Sequence, residues 1–84
     1  MKRYLVVSRR TPGFQPYALQ EHYAFLEKLR SAELLELAGQ FSDKSGGAYL
    51  LRAADVDEAT AMAQMDPLHL RGFARASVYE WQAQ

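Results

Sequence analysis

The sequence contains no cysteine, which excludes thiol catalysis, disulfide bonds and thiolate metal sites. Lysine and arginine together number 10, as do aspartate and glutamate, so the formal net charge is zero. A surface that binds the phosphates of a nucleic acid needs a clear excess of basic residues, and the short run Arg9–Arg10 does not supply one. The composition therefore gives no support to a nucleic-acid partner.

Long apolar runs are also lacking. The apolar stretch from Tyr4 to Val7 ends at Ser8–Arg9–Arg10, whereas a signal-peptide core needs about 7–15 apolar residues and a membrane helix about 20. We therefore expect a cytoplasmic protein that has no membrane partner.

The composition that remains is typical of a globular protein. Hydrophobic residues make up 49% of the 84 residues and charged residues 24%, which argues against disorder. A chain of this length has room for one core, so we expect residues 1–84 to form a single domain. Such a short chain buries only about 60–65% of its unfolded surface, which makes it marginal as a monomer.

Runs of β-forming residues, helical apolar stripes and turn residues predict the element order β-α-β-β-α-β. The predicted strands cover residues 3–8, 34–41, 48–53 and 73–81, and the predicted helices cover 16–31 and 55–66. Asp55 is the expected N-cap of the second helix, with Glu58 completing a capping box, and Pro67 is expected to end that helix before a loop. Propensity alone would also allow residues 34–41 to extend the first helix.

This order predicts an α+β fold, the ferredoxin-like plait, with two helices on one face of a four-stranded antiparallel sheet. The other face would carry much of the first strand together with Phe73, Tyr79 and Trp81. Uncovered, it would be a larger apolar patch than monomers usually tolerate. Because pairing two sheets face to face would bury it, we expect a homodimer with an α/β-barrel arrangement.

His22 and Asp66 lie on the apolar stripes of the two helices, where a hydrophobic residue is the default. Chain direction puts both at the same end of the fold, and unpaired burial of either is costly, so we expect them to meet. A carboxylate bound to one imidazole nitrogen fixes the tautomer and leaves the other nitrogen free to move protons. The pair is therefore a candidate acid–base catalyst, or alternatively a buried bond that only locks the helices together.

Further residues are expected at the same end of the fold, where they would line a substrate pocket: Ser8, Arg9, Phe41, His69 and Arg71. Of these, Arg9 and Arg71 could bind an anionic group bidentately. Two histidines and one carboxylate can also hold a divalent cation, but no His-x-x-x-His or comparable spacing supports a metal site from His22, His69 and Asp66. We expect neither a metal nor a cofactor.

Three stretches of the sequence resemble the YCII-related family. They are His22–Leu26 followed by Leu29, then Leu37–Phe41 with the Ser45–Gly47 turn, and finally Glu58–Ala59 leading to Asp66–Pro67 and Gly72. The resemblance extends from about Tyr4 to Trp81, although the family's usual Ala-Gly-Pro is Ala38–Gly39–Gln40 here. It implies a ferredoxin-like dimeric α/β barrel, a strand over residues 34–41, and a cleft whose catalytic His–Asp pair falls on His22 and Asp66.

The best-understood relatives in this family act on small ring compounds as dehydrochlorinases, and the wider barrel superfamily includes muconolactone isomerases. These reactions move protons without a cofactor. The resemblance therefore implies a cofactor-independent lyase or isomerase acting on a small ring or anionic metabolite, with His22 as the base and Asp66 as its orienter. The alternative is a non-catalytic domain, ligand-binding or accessory, in which the pair is structural.

Overall fold

The centre of the computed structural model, which describes all residues from 1 to 84, is a four-stranded antiparallel sheet. Its strands are β1 (Lys2–Arg10), β2 (Leu35–Gln40), β3 (Gly46–Ala53) and β4 (Ala74–Glu80). They lie in the order β2-β3-β1-β4, and each neighbouring pair is antiparallel. The ambiguous segment 34–41 is thus a strand, as the family resemblance implied.

The helices pack on one face of this sheet. A single 3-10 turn (Pro16–Ala18) leads into α1 (Leu19–Ser31), and α2 (Val56–Gln64) is followed by the one-turn helix α3 (Pro67–Leu70). The main core cluster lies between helices and sheet and consists of Val6, Leu26, Leu35, Tyr49, Leu51 and Ala63. The predicted ferredoxin-like plait is confirmed.

Two proline and capping predictions had different outcomes. Asp55 caps α2 as expected, because its carboxylate accepts a hydrogen bond from the Glu58 backbone N–H at 2.8 Å. The loop predicted after Pro67 was wrong: α2 already ends at Gln64, and Pro67 begins α3 with Asp66 as its N-cap. Proline suits this first helical position because its missing N–H would have no partner there.

Alternation along the strands separates two faces of the sheet. On β1, Tyr4, Val6 and Ser8 are buried against the helices, so Leu5 and Val7 lie on the opposite, open face. Phe73 was expected on that open face, and this was wrong. It precedes β4 and its ring packs edge-on against Tyr17 at 5.8 Å between centroids, on the helix side.

The open face of the sheet is strongly apolar. A shallow depression there is lined by Leu5, Leu37, Leu50, Phe41 and Trp81, among others. Leu37 is 66% exposed and Trp81 48% exposed, so large apolar side chains meet solvent in the single chain.

None of the helices combines the length and the apolar character that a membrane crossing requires.

Candidate active site

His22 and Asp66 are in direct contact. Nδ1 of His22 lies 2.8 Å from Oδ2 of Asp66, and the two side chains are only 13% and 3% exposed. His22 occupies the first half of α1, and Asp66 stands between α2 and α3. The predicted contact is present, but only His22 belongs to a helical stripe. Asp66 was expected within the second helix and instead follows its end as the N-cap of α3, 44 positions from His22.

The second oxygen of Asp66 is also bound. Oδ1 accepts a hydrogen bond from the Leu68 backbone N–H at 2.9 Å, which caps α3. A carboxylate in an apolar setting is tolerated when its oxygens are satisfied in this way. Because an ionised carboxylate can only accept, Nδ1 of His22 carries the hydrogen and Nε2 is left as a free acceptor.

His22 lines a cavity of about 260 Å³ between α1 and the helix side of the sheet. Its walls come from α1, from the ends of β1 and β2 and from the start of β3. The polar lining residues include Ser8, Arg10, His22, Glu27, Arg30, Gln40 and Tyr49, beside apolar residues such as Leu19, Leu26 and Leu68. Asp66 is not part of this lining and binds His22 from within the protein. The arrangement has the form of a ligand site, a mainly apolar concavity with a few convergent polar groups.

Two glycines at the start of β3 form part of the cavity wall. A Cβ atom on Gly46 would collide with the backbone oxygen of Ser8 on β1, and one on Gly47 would collide with the backbone oxygen of Gly39 on β2. Both positions therefore require glycine if the strands are to pair as they do. The Ser45–Gly46–Gly47 turn noted in the sequence thus has a packing role beside the cavity.

Tyr49 is a site residue that the sequence reasoning did not include. Its ring lies 6.3 Å from the ring of His22, centroid to centroid, and the residue is 3% exposed. Its hydroxyl is buried without a hydrogen-bond partner. Burial raises the pKa of Tyr49 well above its usual range, and the negative charge of Asp66 adds to this. The sequence offers no signal for this role, because tyrosine is common in strands.

Ser8 is the one predicted binding residue that lines the cavity. Arg9 lies on the other face of the sheet, opposite Arg75 on β4. The predicted strand ended at Ser8, whereas β1 continues to Arg10, so Arg9 follows the alternation of the strand and points away from Ser8. Arg10, on the same face as Ser8, takes the position by the cavity that was expected for Arg9.

The other three predicted binding residues do not line this cavity either. Phe41 lies beside the depression on the open face. His69 lies in α3, where its Nδ1 is buried without a partner. Arg71 is bound by Glu21, with Nη2 to Oε1 at 2.7 Å. The expectation that Arg9, Phe41, His69 and Arg71 surround one pocket with His22 is thus corrected by the strand register and by these local contacts.

The three-residue metal site considered from the sequence is not assembled. Nowhere in the chain do three or more His, Cys, Asp or Glu side chains come together in a way that could hold a metal ion.

The fold and site define a ferredoxin-like α+β protein with a buried His–Asp pair beside a small cavity. The sequence matches the YCII-related domain over residues 3–82, and the chain belongs to the YCII-related family. It is 36% identical over 81 residues to the uncharacterized protein YjpA of Bacillus subtilis (strain 168), a match that covers 96% of this chain and 95% of that protein.

Two solved structures share the fold. One is 5-chloro-2-hydroxyhydroquinone dehydrochlorinase (TftG) of Burkholderia phenoliruptrix AC1100 in complex with 2,5-dihydroxybenzoquinone, with a TM-score of 0.78, 20% identity, and coverage of 98% of this chain and 95% of that chain. The other is muconolactone isomerase, with a TM-score of 0.71, 10% identity, and coverage of 98% and 90%. At these identities the likeness establishes the fold alone.

Proposed function

We propose that this protein is a cofactor-independent lyase or isomerase that transfers a proton on a small ring or anionic metabolite. The observation that carries the proposal is the position of His22, which lines the cavity while its Nδ1 is bound to Asp66. A histidine held in one tautomer by a buried carboxylate, with its second nitrogen free, is the arrangement of a general base.

In the proposed reaction, Nε2 of His22 accepts a proton from the bound molecule, and Asp66 holds the imidazole ring in place. The electron pair left behind then has two possible fates. In an isomerisation it shifts a double bond, and His22 returns the proton at another atom. In an elimination it expels a leaving group such as chloride, which departs with its bonding electrons. Neither route requires an oxidant or reductant.

The structural relatives suggest the first substrates to try. A dehydrochlorinase and a muconolactone isomerase share this fold, and the names of both describe reactions on small molecules. Both reactions fit the proton-transfer chemistry proposed for His22. We therefore choose 5-chloro-2-hydroxyhydroquinone and muconolactone as probes of the reaction class.

The test measures chloride release from the first probe and deuterium incorporation from heavy water into the second. The wild-type protein is compared with His22→Gln, which removes the base, and with His69→Gln, which changes the only other histidine and lies outside the cavity. We expect His22→Gln to abolish the reaction and His69→Gln to retain it. Equal rates in wild type and His22→Gln would refute the proposal.

A second candidate function is a non-catalytic small-ligand-binding or accessory domain. The observation in its favour is that Asp66 has a structural task, since one carboxylate oxygen caps α3 and the other binds His22. If the pair is only structural, both probes stay unchanged in the wild-type assay. In that case Asp66→Ala loses about 3–5 kcal/mol of unfolding free energy, the range for breaking a buried pair.

We further propose that two copies pair through the open faces of their sheets. The apolar centre of that face, around Leu37, Leu50 and Trp81, is flanked by charged residues such as Arg9 and Arg75. An apolar core within a polar rim is typical of protein–protein interfaces. A second copy would bury this face and would also supplement the small core of the chain.

The cytoplasmic location expected from the sequence stays a prediction, which cell fractionation would check.

A further inference from the structure

We propose that Arg10 binds an anionic group of the ligand in the His22 cavity, so that the ligand is a small organic anion. This deepens the proposed function and rests on it in one respect, that the cavity is the ligand site.

Arg10 is the last residue of β1 and lies on the helix side of the sheet. It pairs with Ala74, which is buried on that side, and it lines the cavity with Ser8, two residues before it. The preceding residues of this face are Tyr4 and Val6, which belong to the core, and then Ser8, which is buried and polar. This face thus becomes polar toward the end of β1, where Arg10 brings a guanidinium to the edge of the cavity.

The guanidinium of Arg10 is held in place without a carboxylate. Its Cζ atom lies 4.1 Å from the centroid of the Phe14 ring, a cation–π contact. None of the six ion pairs in the chain includes Arg10. Because stacking uses the flat face of a guanidinium, its N–H edge stays available to bind a carboxylate bidentately.

The other charges around the cavity leave Arg10 uncompensated. Arg30 and Glu27, which also line it, pair with each other at 3.8 Å. The carboxylate of Asp66 is bound on both oxygens, by His22 and by the Leu68 N–H. A ligand anion would therefore meet one free cationic group in a mainly apolar cavity, where charge interactions are stronger than in water.

Ser8 adds a neutral polar group to this site. Alternate residues of a strand are about 6.6 Å apart, so Ser8 lies one such step along β1 from Arg10 toward the middle of the sheet. A ligand anchored on Arg10 by its charge would place its body beside Ser8 and His22. This geometry favours single-ring compounds with one anionic substituent over larger ligands.

The experiment compares two probes that share ring and size but differ in charge, benzoate and benzamide. Each is titrated into the ¹⁵N-labelled protein, and the backbone amide signals of His22 and Gly47 report binding in the cavity. We expect benzoate to bind more tightly than benzamide in the wild type. Arg10→Gln should weaken benzoate binding at least about tenfold, the usual effect of losing a charge-assisted hydrogen-bonded contact, and should leave benzamide binding unchanged.

Arg9→Gln is the matched variant, because it removes the same charge one residue away on the opposite face of the sheet. We expect it to change benzoate binding less than twofold. Arg10→Lys keeps the charge but loses the planar guanidinium that can bind a carboxylate bidentately. Its affinity for benzoate should therefore fall between those of the wild type and Arg10→Gln. A dispersed amide spectrum in each variant shows that the fold is kept.

Three outcomes would overturn the inference: equal binding of benzoate and benzamide, unchanged benzoate binding in Arg10→Gln, or no binding of benzoate at millimolar concentration. The proposed function fails separately. If His22→Gln still binds benzoate in an Arg10-dependent way while the wild type leaves both reaction probes unchanged, the anion site stands and the proton-transfer proposal falls. If the wild type turns the probes over and Arg10→Gln has the same KM, the proton-transfer proposal stands and the anion site falls.

Discussion

The ring of Tyr49 lies 6.3 Å from the ring of His22, centroid to centroid, and the Tyr49 hydroxyl between sheet and helices has no hydrogen-bond partner. Native proteins leave few buried polar groups unpaired, because each costs the free energy of its lost hydration. The ring that carries the unpaired hydroxyl is a neighbour of the same histidine that binds Asp66. The candidate site is thus also the place where the core tolerates a locally unfavourable group.

Removing that hydroxyl should not harm stability. Tyr49→Phe keeps the ring and deletes the unpaired group, so we expect the unfolding free energy to stay the same or to rise by up to about 1 kcal/mol. Tyr49→Ala, which leaves a cavity, should instead cost about 3–5 kcal/mol. Urea unfolding of the three proteins measures both effects. A loss of more than about 1 kcal/mol in Tyr49→Phe would mean that the hydroxyl has a partner after all.

The sequence predicted the plait because it depends on periodic patterns, and the meeting of His22 with Asp66 because chain direction puts both at one end of the fold. Alternation and helical stripes assign residues to faces, and chain direction assigns them to ends of the fold. Arg9 and Phe73 show where this reasoning fails, because each stands at a strand end, where a difference of one residue reverses the face. The helix α3 was missed because Pro67 can either end one helix or begin another.

Tyr49 and Arg10 could not be assigned to the site from the sequence for a different reason. Tyrosine is common in buried strands, so only the three-dimensional contacts reveal that its hydroxyl is unpaired. The role of Arg10 depends on how far β1 extends and on the Phe14 ring beneath the guanidinium. Both facts come from tertiary packing, which the pattern of polar and apolar residues along the sequence does not show.

Acid should weaken the fold through Glu36. The hydrogen bond from Arg52, at 2.7 Å, holds the pKa of the Glu36 carboxyl below its usual value of 4.5, and the charge of Arg3 acts in the same direction. A carboxyl whose pKa is lowered on folding stabilises the protein above its unfolded pKa, and this contribution is lost as the pH falls through the folded pKa.

Glu36→Gln removes this titrating group, so its unfolding free energy should fall less steeply than that of the wild type when the pH is lowered below about 4.5. Urea unfolding at several pH values measures the two slopes, and Glu27→Gln, at an exposed pair with a 3.8 Å separation, serves as the control. Parallel slopes for wild type and Glu36→Gln would contradict the assignment.

Gly47 and Gly39 offer a matched pair of substitutions at the edge of the cavity. A Cβ atom at Gly47 collides with the Gly39 backbone oxygen, whereas one at Gly39 has nothing within 4 Å. We expect Gly47→Ala to lose about 1–3 kcal/mol of unfolding free energy, as overpacking does, and Gly39→Ala to be neutral or slightly stabilising. Both are measured at one protein concentration, because the proposed dimer would cover the open face. Equal losses would show that the backbone contact at Gly47 relaxes freely.

The last prediction concerns the oligomeric state, which we expect to depend on the open face of the sheet. Sedimentation should give the wild type a mass of twice the 9.5 kDa chain at micromolar concentration. Leu37→Lys places a charge in the centre of the apolar face and should yield the monomer, because an unpaired buried charge is costly. Leu70→Lys is the control, since Leu70 is similarly exposed, at 63% against 66%, but lies on α3 away from the sheet face. A monomeric wild type, or dissociation caused equally by both substitutions, would contradict pairing through the open faces.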